Sequence, residues 1–106
     1  MRELCLNGRC VAEYRDGRDV DAAHSPRPYL HPVRTLNGTA VTAAGPDDHP
    51  WHLGLSVALP DVDGTNFWGG PTYLLDRGYT WRDDHGHIEH VGFSEADDRG
   101  FDERLR

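Results

Sequence analysis

Residues 4–12 read Leu-Cys-Leu-Asn-Gly-Arg-Cys-Val-Ala, two short apolar runs separated by an Asn-Gly pair. Asn7 and Gly8 both tolerate the positive φ angles of a type I′ turn, so the stretch predicts a β-hairpin with a two-residue loop. The register of such a hairpin places Leu4 opposite Val11, an apolar cross-strand pair. The N-terminal part of the chain is therefore predicted to form an antiparallel β-sheet.

The same register places Cys5 opposite Cys10. Two cysteines that face each other across a hairpin can form a disulfide. In a reducing compartment the pair stays as two thiols, and this is the state that we expect in a cytosolic protein.

Patterns further along the chain also predict strands. Over residues 53–59 bulky apolar residues alternate with small ones, which predicts one half-buried strand that ends at Pro60. Asn37-Gly38 predicts a second hairpin turn, and residues 86–95 predict another strand. We therefore predict an all-β fold, an antiparallel β-sandwich or part of a larger sandwich, with little or no helix.

Length and charge narrow the class of protein. The 106 residues suit one small domain, and the formal net charge is −7. An acidic chain without a basic stripe is a poor candidate for binding nucleic acid. No apolar run reaches the roughly 20 residues of a membrane span, and the N-terminus lacks a signal pattern. We therefore expect a cytoplasmic protein with neither a nucleic-acid nor a membrane partner.

The last residues predict one more strand. Residues 100–106 begin an alternating pattern that stops with the sequence. We therefore expect residues 1–106 to form a single β-rich domain that is the N-terminal part of a longer one. Strand edges left open in this way predict a homo-oligomer.

A dense group of ionisable residues precedes the alternating stretch. Residues 47–52 read Asp-Asp-His-Pro-Trp-His, and a turn there lets His49 and His52 converge. Such a pair, oriented by Asp48, can transfer protons or bind a divalent metal, for which His87 is a third candidate ligand. The spacing matches no specific zinc motif. The alternative is that the histidines only form hydrogen bonds with the loop backbone.

A second group of histidines lies in residues 85–90, His-Gly-His-Ile-Glu-His. On a strand, His85, His87 and Glu89 share one face, whereas His90 lies on the other. Three groups on one face can bind a metal or line a sugar pocket. The alternative is a solvated strand face at the end of a sheet.

Aromatic and polar side chains complete the candidate site. Trp51 and Trp68 can stack on the C–H faces of a sugar, while Tyr29 and Asn66 can bind its hydroxyls. Arg27, held between prolines, can clamp a carboxylate or a pair of hydroxyls. The alternatives are that the rings belong to the core and that Arg27 pairs with a surface acid.

These motifs resemble those of a bacterial family labelled PmoA-like. The resemblance extends from about residue 26 to residue 93 and is carried by Arg27-Pro28-Tyr29-x-His31-Pro32, Asn37-Gly38, Val41-Thr42, Asp48-His49-Pro50-x-His52, Asp61-Val62-Asp63-Gly64-x-Asn66-Phe67-Trp68 and Gly86-His87-Ile88-x-His90. It implies a soluble β-sandwich, often encoded near genes for sugar oxidoreductases, and not a membrane-bound methane oxygenase. This chain departs from the family pattern at Trp51 and Leu53, where members often carry His and a basic residue.

Two function classes and one inactive state follow from these observations. The first is an enzyme, such as a lyase, epimerase or hydrolase, that acts on a carbohydrate or sugar-derived molecule through His49, His52, His90 and Asp48. The second is a non-catalytic carbohydrate-binding module, which needs the aromatic rings but not the histidines. The third is a truncated, inactive fragment. The cofactor is unknown, and a divalent metal is one candidate.

Overall fold

The computed structural model describes residues 2–106, and its regular structure consists almost entirely of β-strands. The ten strands are β1 (Arg2–Leu6), β2 (Arg9–Arg15), β3 (Tyr29–Val33), β4 (Leu55–Ser56), β5 (Leu59–Val62), β6 (Thr65–Phe67), β7 (Thr72–Leu74), β8 (Gly78–Thr80), β9 (His90–Ala96) and β10 (Phe101–Leu105). Within residues 2–106 the one helix is a 3₁₀ turn at Ala22–His24, and no helix is long and apolar enough to cross a membrane. Every pairing between these strands is antiparallel. The all-β class predicted from the sequence is confirmed.

Strands β1 to β4 form one sheet in the order β1-β2-β3-β4. Asn7 and Gly8 have φ angles of 52° and 75°, which confirms the predicted positive-φ turn. Cys5 lies opposite Cys10 as predicted, but Leu4 lies opposite Ala12 and not Val11. The predicted Leu4 pair is wrong because a β-bulge between Leu4 and Cys5 adds one residue to β2. The outer strands of this sheet are β1 and β4, and the homo-oligomer predicted from open edges stays a prediction.

The alternating stretch at residues 53–59 is not the single buried strand that its pattern predicted. Leu53 is buried, but Leu55 is 59% exposed and belongs to β4, which pairs with β3 over only two residues. Gly54 interrupts the strand with a φ of 52°, and a Cβ there would collide with the backbone carbonyl of Leu30. Pro60 also does not end a strand, since it lies within β5. Strand β5 belongs to a two-stranded hairpin, in which a proline can face solvent.

The buried apolar core is small and lies on β2, β3 and the segment before β4. Its members are Ala12, Tyr14, Tyr29 and Leu53. The β9–β10 hairpin packs on this core, because the Tyr14 ring makes edge contacts with Phe93 and Phe101 at 5.3 and 5.5 Å between centroids. Tyr14 thus joins β2 to both strands of the β9–β10 hairpin.

Three hairpins lie outside the four-stranded sheet, namely β5–β6, β7–β8 and β9–β10. The β5–β6 turn has φ angles of 51° at Asp63 and 88° at Gly64. The strand predicted for residues 86–95 begins only at His90. His85, His87 and Glu89 therefore do not share one face of a strand, because no strand includes residues 86–89.

Candidate functional site

A cavity of about 840 Å³ lies beside the β5–β6 and β7–β8 hairpins. Aromatic rings and polar side chains line it together, with prolines and small residues between them. The rings are those of Trp68, Tyr73 and Tyr79, and the polar groups belong to Asp61, Thr72, Arg82 and Asp84. A wall of this composition can bind both the flat apolar face and the hydroxyls of a small polar molecule.

Asn66 positions Trp68 at the edge of this cavity. The Asn66 side chain is 1% exposed, and its Oδ1 accepts hydrogen bonds from the backbone N–H groups of Trp68 at 2.8 Å and Gly69 at 3.0 Å. Its Nδ2 donates to the carbonyl of Gly70 at 2.8 Å. Because all these hydrogen bonds are to backbone groups of the protein, the Asn66 side chain holds the loop at residues 68–70 in place. The direct ligand contact predicted for Asn66 stays untested.

Asp84 offers the cavity a hydrogen-bond acceptor. Its Oδ2 accepts a hydrogen bond of 2.7 Å from the Thr72 hydroxyl. Its Oδ1 is buried and has no hydrogen-bond partner among residues 2–106. A buried carboxylate oxygen without a donor is costly.

Trp51 joins the histidines of residues 47–52 to this cavity. Its ring centroid lies 5.9 Å from that of Trp68 and 5.2 Å from that of His49. The rings of His49 and His52 are 5.0 Å apart, and Asp48 Oδ2 lies 3.2 Å from His49 Nδ1. The structure therefore brings Trp51, Trp68, both histidines and Asp48 into one continuous group. Neither histidine lines the cavity itself.

Arg27 lies in the interior, away from solvent. Its guanidinium is 2% exposed and donates to Ser56 Oγ at 3.0 Å and to the carbonyls of Ser25 at 2.9 Å and Trp51 at 3.1 Å. Burial lowers the pKa of this group. Arg27 therefore joins three segments of the chain. Tyr29 is also buried, in β3, and the ligand contacts predicted for both residues stay untested.

His90 lies in the packed part of the molecule and not in the first cavity. Its Nδ1 is 2.6 Å from Glu103 Oε1, which also accepts a hydrogen bond from the Tyr14 hydroxyl. Burial and the neighbouring carboxylate raise the pKa of Tyr14 well above its usual range. His90 also shares a second cavity, of about 390 Å³, with His85 and His87. The structure thus separates His87 and His90 from His49 and His52.

The three candidate metal ligands His49, His52 and His87 do not form one group. Over residues 2–106, the one group of three His, Cys, Asp or Glu ligand atoms that lie within 4.8 Å of one another is formed by Glu3, Cys5 and Cys10. His49, His52 and His87 were the ligands predicted from the sequence, and no metal was predicted at the cysteine pair.

Sequence reasoning also missed the polar wall of the cavity. Asp61, Arg82 and Asp84 were not named as site residues, although Asp83-Asp84 directly follows Trp81-Arg82. This run of a tryptophan, an arginine and two aspartates was the signal in the sequence that could have indicated these site residues.

Comparisons with known proteins place the chain in a family without assigning a function. No curated protein and no solved structure matches it. A family model described as "Family of unknown function (DUF6807)" matches residues 3–106. Since that match spans nearly the whole chain, the protein belongs to the DUF6807 family.

Proposed function

We propose that this protein binds a carbohydrate or a sugar-derived small molecule in the cavity lined by Trp68, Tyr79 and Asp84. The observation that carries the proposal is the cavity wall itself, in which aromatic rings lie beside the carboxylates of Asp61 and Asp84. Hydroxyl groups donate to carboxylate oxygens, while the C–H face of the same ligand stacks on a ring. Sugars combine these two features in one small molecule.

The charged residues of the wall fit the same ligand class. Asp61 and Asp84 accept hydrogen bonds from hydroxyls, and Arg82 donates to hydroxyl or carboxylate oxygens. A neutral sugar uses the acids, whereas a sugar acid also pairs with Arg82. The wall therefore accommodates both kinds of molecule.

The resemblance of the motifs to the PmoA-like family supports the proposal, because it implies a soluble β-rich protein associated with sugar metabolism. A cytoplasmic location is part of the proposal. Membrane methane oxidation is not part of it.

Two exposed rings provide a matched test of the cavity. Tyr79 is 70% exposed and lines the cavity, whereas Trp81 is 57% exposed and does not. We would titrate the protein calorimetrically with glucose, galactose, N-acetylglucosamine, glucuronate and galacturonate. For a sugar that binds, Tyr79→Ala should weaken the affinity about 10-fold, the value of one stacking contact, and Asp84→Asn should weaken it comparably.

Trp81→Ala should leave the affinity within about 2-fold of wild type. If no sugar of this panel binds to the folded protein, or if Trp81→Ala removes binding and Tyr79→Ala does not, the proposed site is wrong.

Catalysis is a second candidate function, and the geometry of His49 and His52 favours it. Their rings are 5.0 Å apart, and the Asp48 carboxylate orients His49. Such a pair can transfer a proton near neutral pH. With a sugar that binds, we would follow product formation by NMR. The His49→Ala/His52→Ala double mutant should lose turnover and keep the affinity. Turnover that is unchanged would exclude these histidines as the acid and base.

A further inference from the structure

We propose that Glu3, Cys5 and Cys10 form a zinc-binding site on the N-terminal hairpin, separate from the sugar cavity. One ligand atom from each residue lies within 4.8 Å of the other two. Thiolate sulfur and carboxylate oxygen are both ordinary zinc ligands. None of the three residues lines the cavity.

The hairpin geometry explains why these groups converge. Glu3 and Cys5 are two residues apart on β1, so their side chains point to the same face of the sheet. Cys10 lies directly opposite Cys5 on β2 and shares that face. The bulge beside Cys5 adds a residue to β2 and changes the local direction of the side chains.

The spacing of the ligand atoms is close to what zinc requires. Two thiolates bound at about 2.3 Å to a tetrahedral zinc ion are roughly 3.8 Å apart. Side-chain rotations that move each ligand atom by up to about 0.5 Å close the difference. Glu3 supplies the third ligand and a water molecule the fourth, as in other zinc sites with three protein ligands.

The cluster also lacks a cation of its own. The Arg2 guanidinium lies over the ring of Phe93, and Arg9 donates to the carbonyl of Leu36. Among the described residues, Glu3 forms no ion pair with either arginine. A bound cation would balance the charge of the Glu3 carboxylate.

Cobalt provides a direct optical probe. The full-length chain, without a histidine tag and reduced with a non-chelating phosphine, would be titrated with Co²⁺ in the absence of oxygen and then with Zn²⁺. We expect one Co²⁺ per chain, with sulfur-to-cobalt charge-transfer bands and the visible bands of tetrahedral coordination. One equivalent of Zn²⁺ should displace the cobalt.

Substitutions at the three residues test which side chains bind the metal. Cys5→Ser and Cys10→Ser should each weaken zinc binding at least about 100-fold and, at saturating Co²⁺, reduce the charge-transfer bands by about half. Glu3→Gln should weaken binding about 10-fold and keep the bands. The matched control is Glu13→Gln, because Glu13 lies opposite Glu3 but pairs with Arg15 at 3.6 Å. It should bind like wild type.

Two outcomes would overturn the proposal. One is the absence of Co²⁺ and Zn²⁺ binding by reduced wild-type protein whose amide NMR spectrum shows that it is folded. The other is zinc binding that survives both cysteine variants and is lost in His49→Ala/His52→Ala.

Discussion

Two regions of this molecule use the same residue types in opposite ways. In the sheet region, formed by β1–β3 and the β9–β10 hairpin, Tyr14 is 6% exposed and shares the part-buried carboxylate of Glu103 with His90. In the cavity region, residues 59–85, Tyr73 and Tyr79 are 59% and 70% exposed. Aromatic and ionisable side chains hold the first region together, whereas in the second they are free to contact a ligand. Burial, and not residue type, separates the two roles.

The largest expected effect is the loss of the Tyr14 ring. Tyr14→Ala removes contacts with Phe93 and Phe101 and leaves the Glu103 carboxylate without the Tyr14 donor. We expect the free energy of unfolding to fall by about 3–5 kcal/mol, measured with urea. Tyr79→Ala should cost less than about 0.5 kcal/mol. Equal losses in the two variants would remove the distinction between the regions.

Asn66→Ala should reduce both the free energy of unfolding and the affinity for a sugar. The substitution leaves the backbone groups of Trp68, Gly69 and Gly70 without their partner, and should cost about 2–3 kcal/mol. Sugar binding should be lost with it, because Trp68 is no longer held at the cavity. The matched control is Asn37→Ala in an exposed turn. We expect that change to stay within about 0.5 kcal/mol in urea unfolding and to retain the affinity.

The raised pKa of Tyr14 predicts a loss of stability at alkaline pH. The unfolded chain releases the Tyr14 proton near pH 10, whereas the folded protein keeps it to a higher pH. The free energy of unfolding therefore falls as the pH rises above about 10. Urea titrations between pH 9 and pH 11 should show a steeper fall for wild type than for Tyr14→Phe. If the unfolding free energies of the two proteins fell equally with pH, Tyr14 ionisation would not be the cause of the loss.

His31 is expected to have a smaller effect on the free energy of unfolding, at acidic pH. Burial, and next the charge of Arg15, lower the pKa of this imidazole, whose Nδ1 lies 2.7 Å from Thr42 Oγ1. The stability from this group is thus present above about pH 6.5 and is lost as the pH falls through the lower folded pKa. His31→Gln should reduce the slope of unfolding free energy between pH 7 and pH 5. An unchanged slope would rule out His31 as its source.

How much of the fold could be predicted depended on how local each signal was. The turn at Asn7-Gly8 needs only two residues that accept positive φ, and the all-β class follows from such turns and from alternation. The strand predicted for residues 53–59 failed because Gly54 meets the backbone of Leu30, which is distant in sequence. The β1 register shifted through a bulge, for which the sequence gives no local sign.

The candidate site shows the same limit. The motif around His49 and the motif around Trp68 were both recognised from residue type, and the structure joins them through Trp51. The importance of Asp84 depends on which oxygen is buried and on its contact with Thr72. Those are properties of tertiary packing, and no spacing in the sequence encodes them.

The central claim is that ligand binding takes place in the cavity region and leaves the sheet region unchanged. The most direct measurement is a two-dimensional amide and indole NMR titration of the full chain with the sugar that binds most tightly. We expect shifts at Trp68, Thr72, Tyr79 and Asp84, with little change at Tyr14. Shifts centred on Tyr14 and its neighbours in β9 and β10, with the cavity signals unmoved, would contradict it.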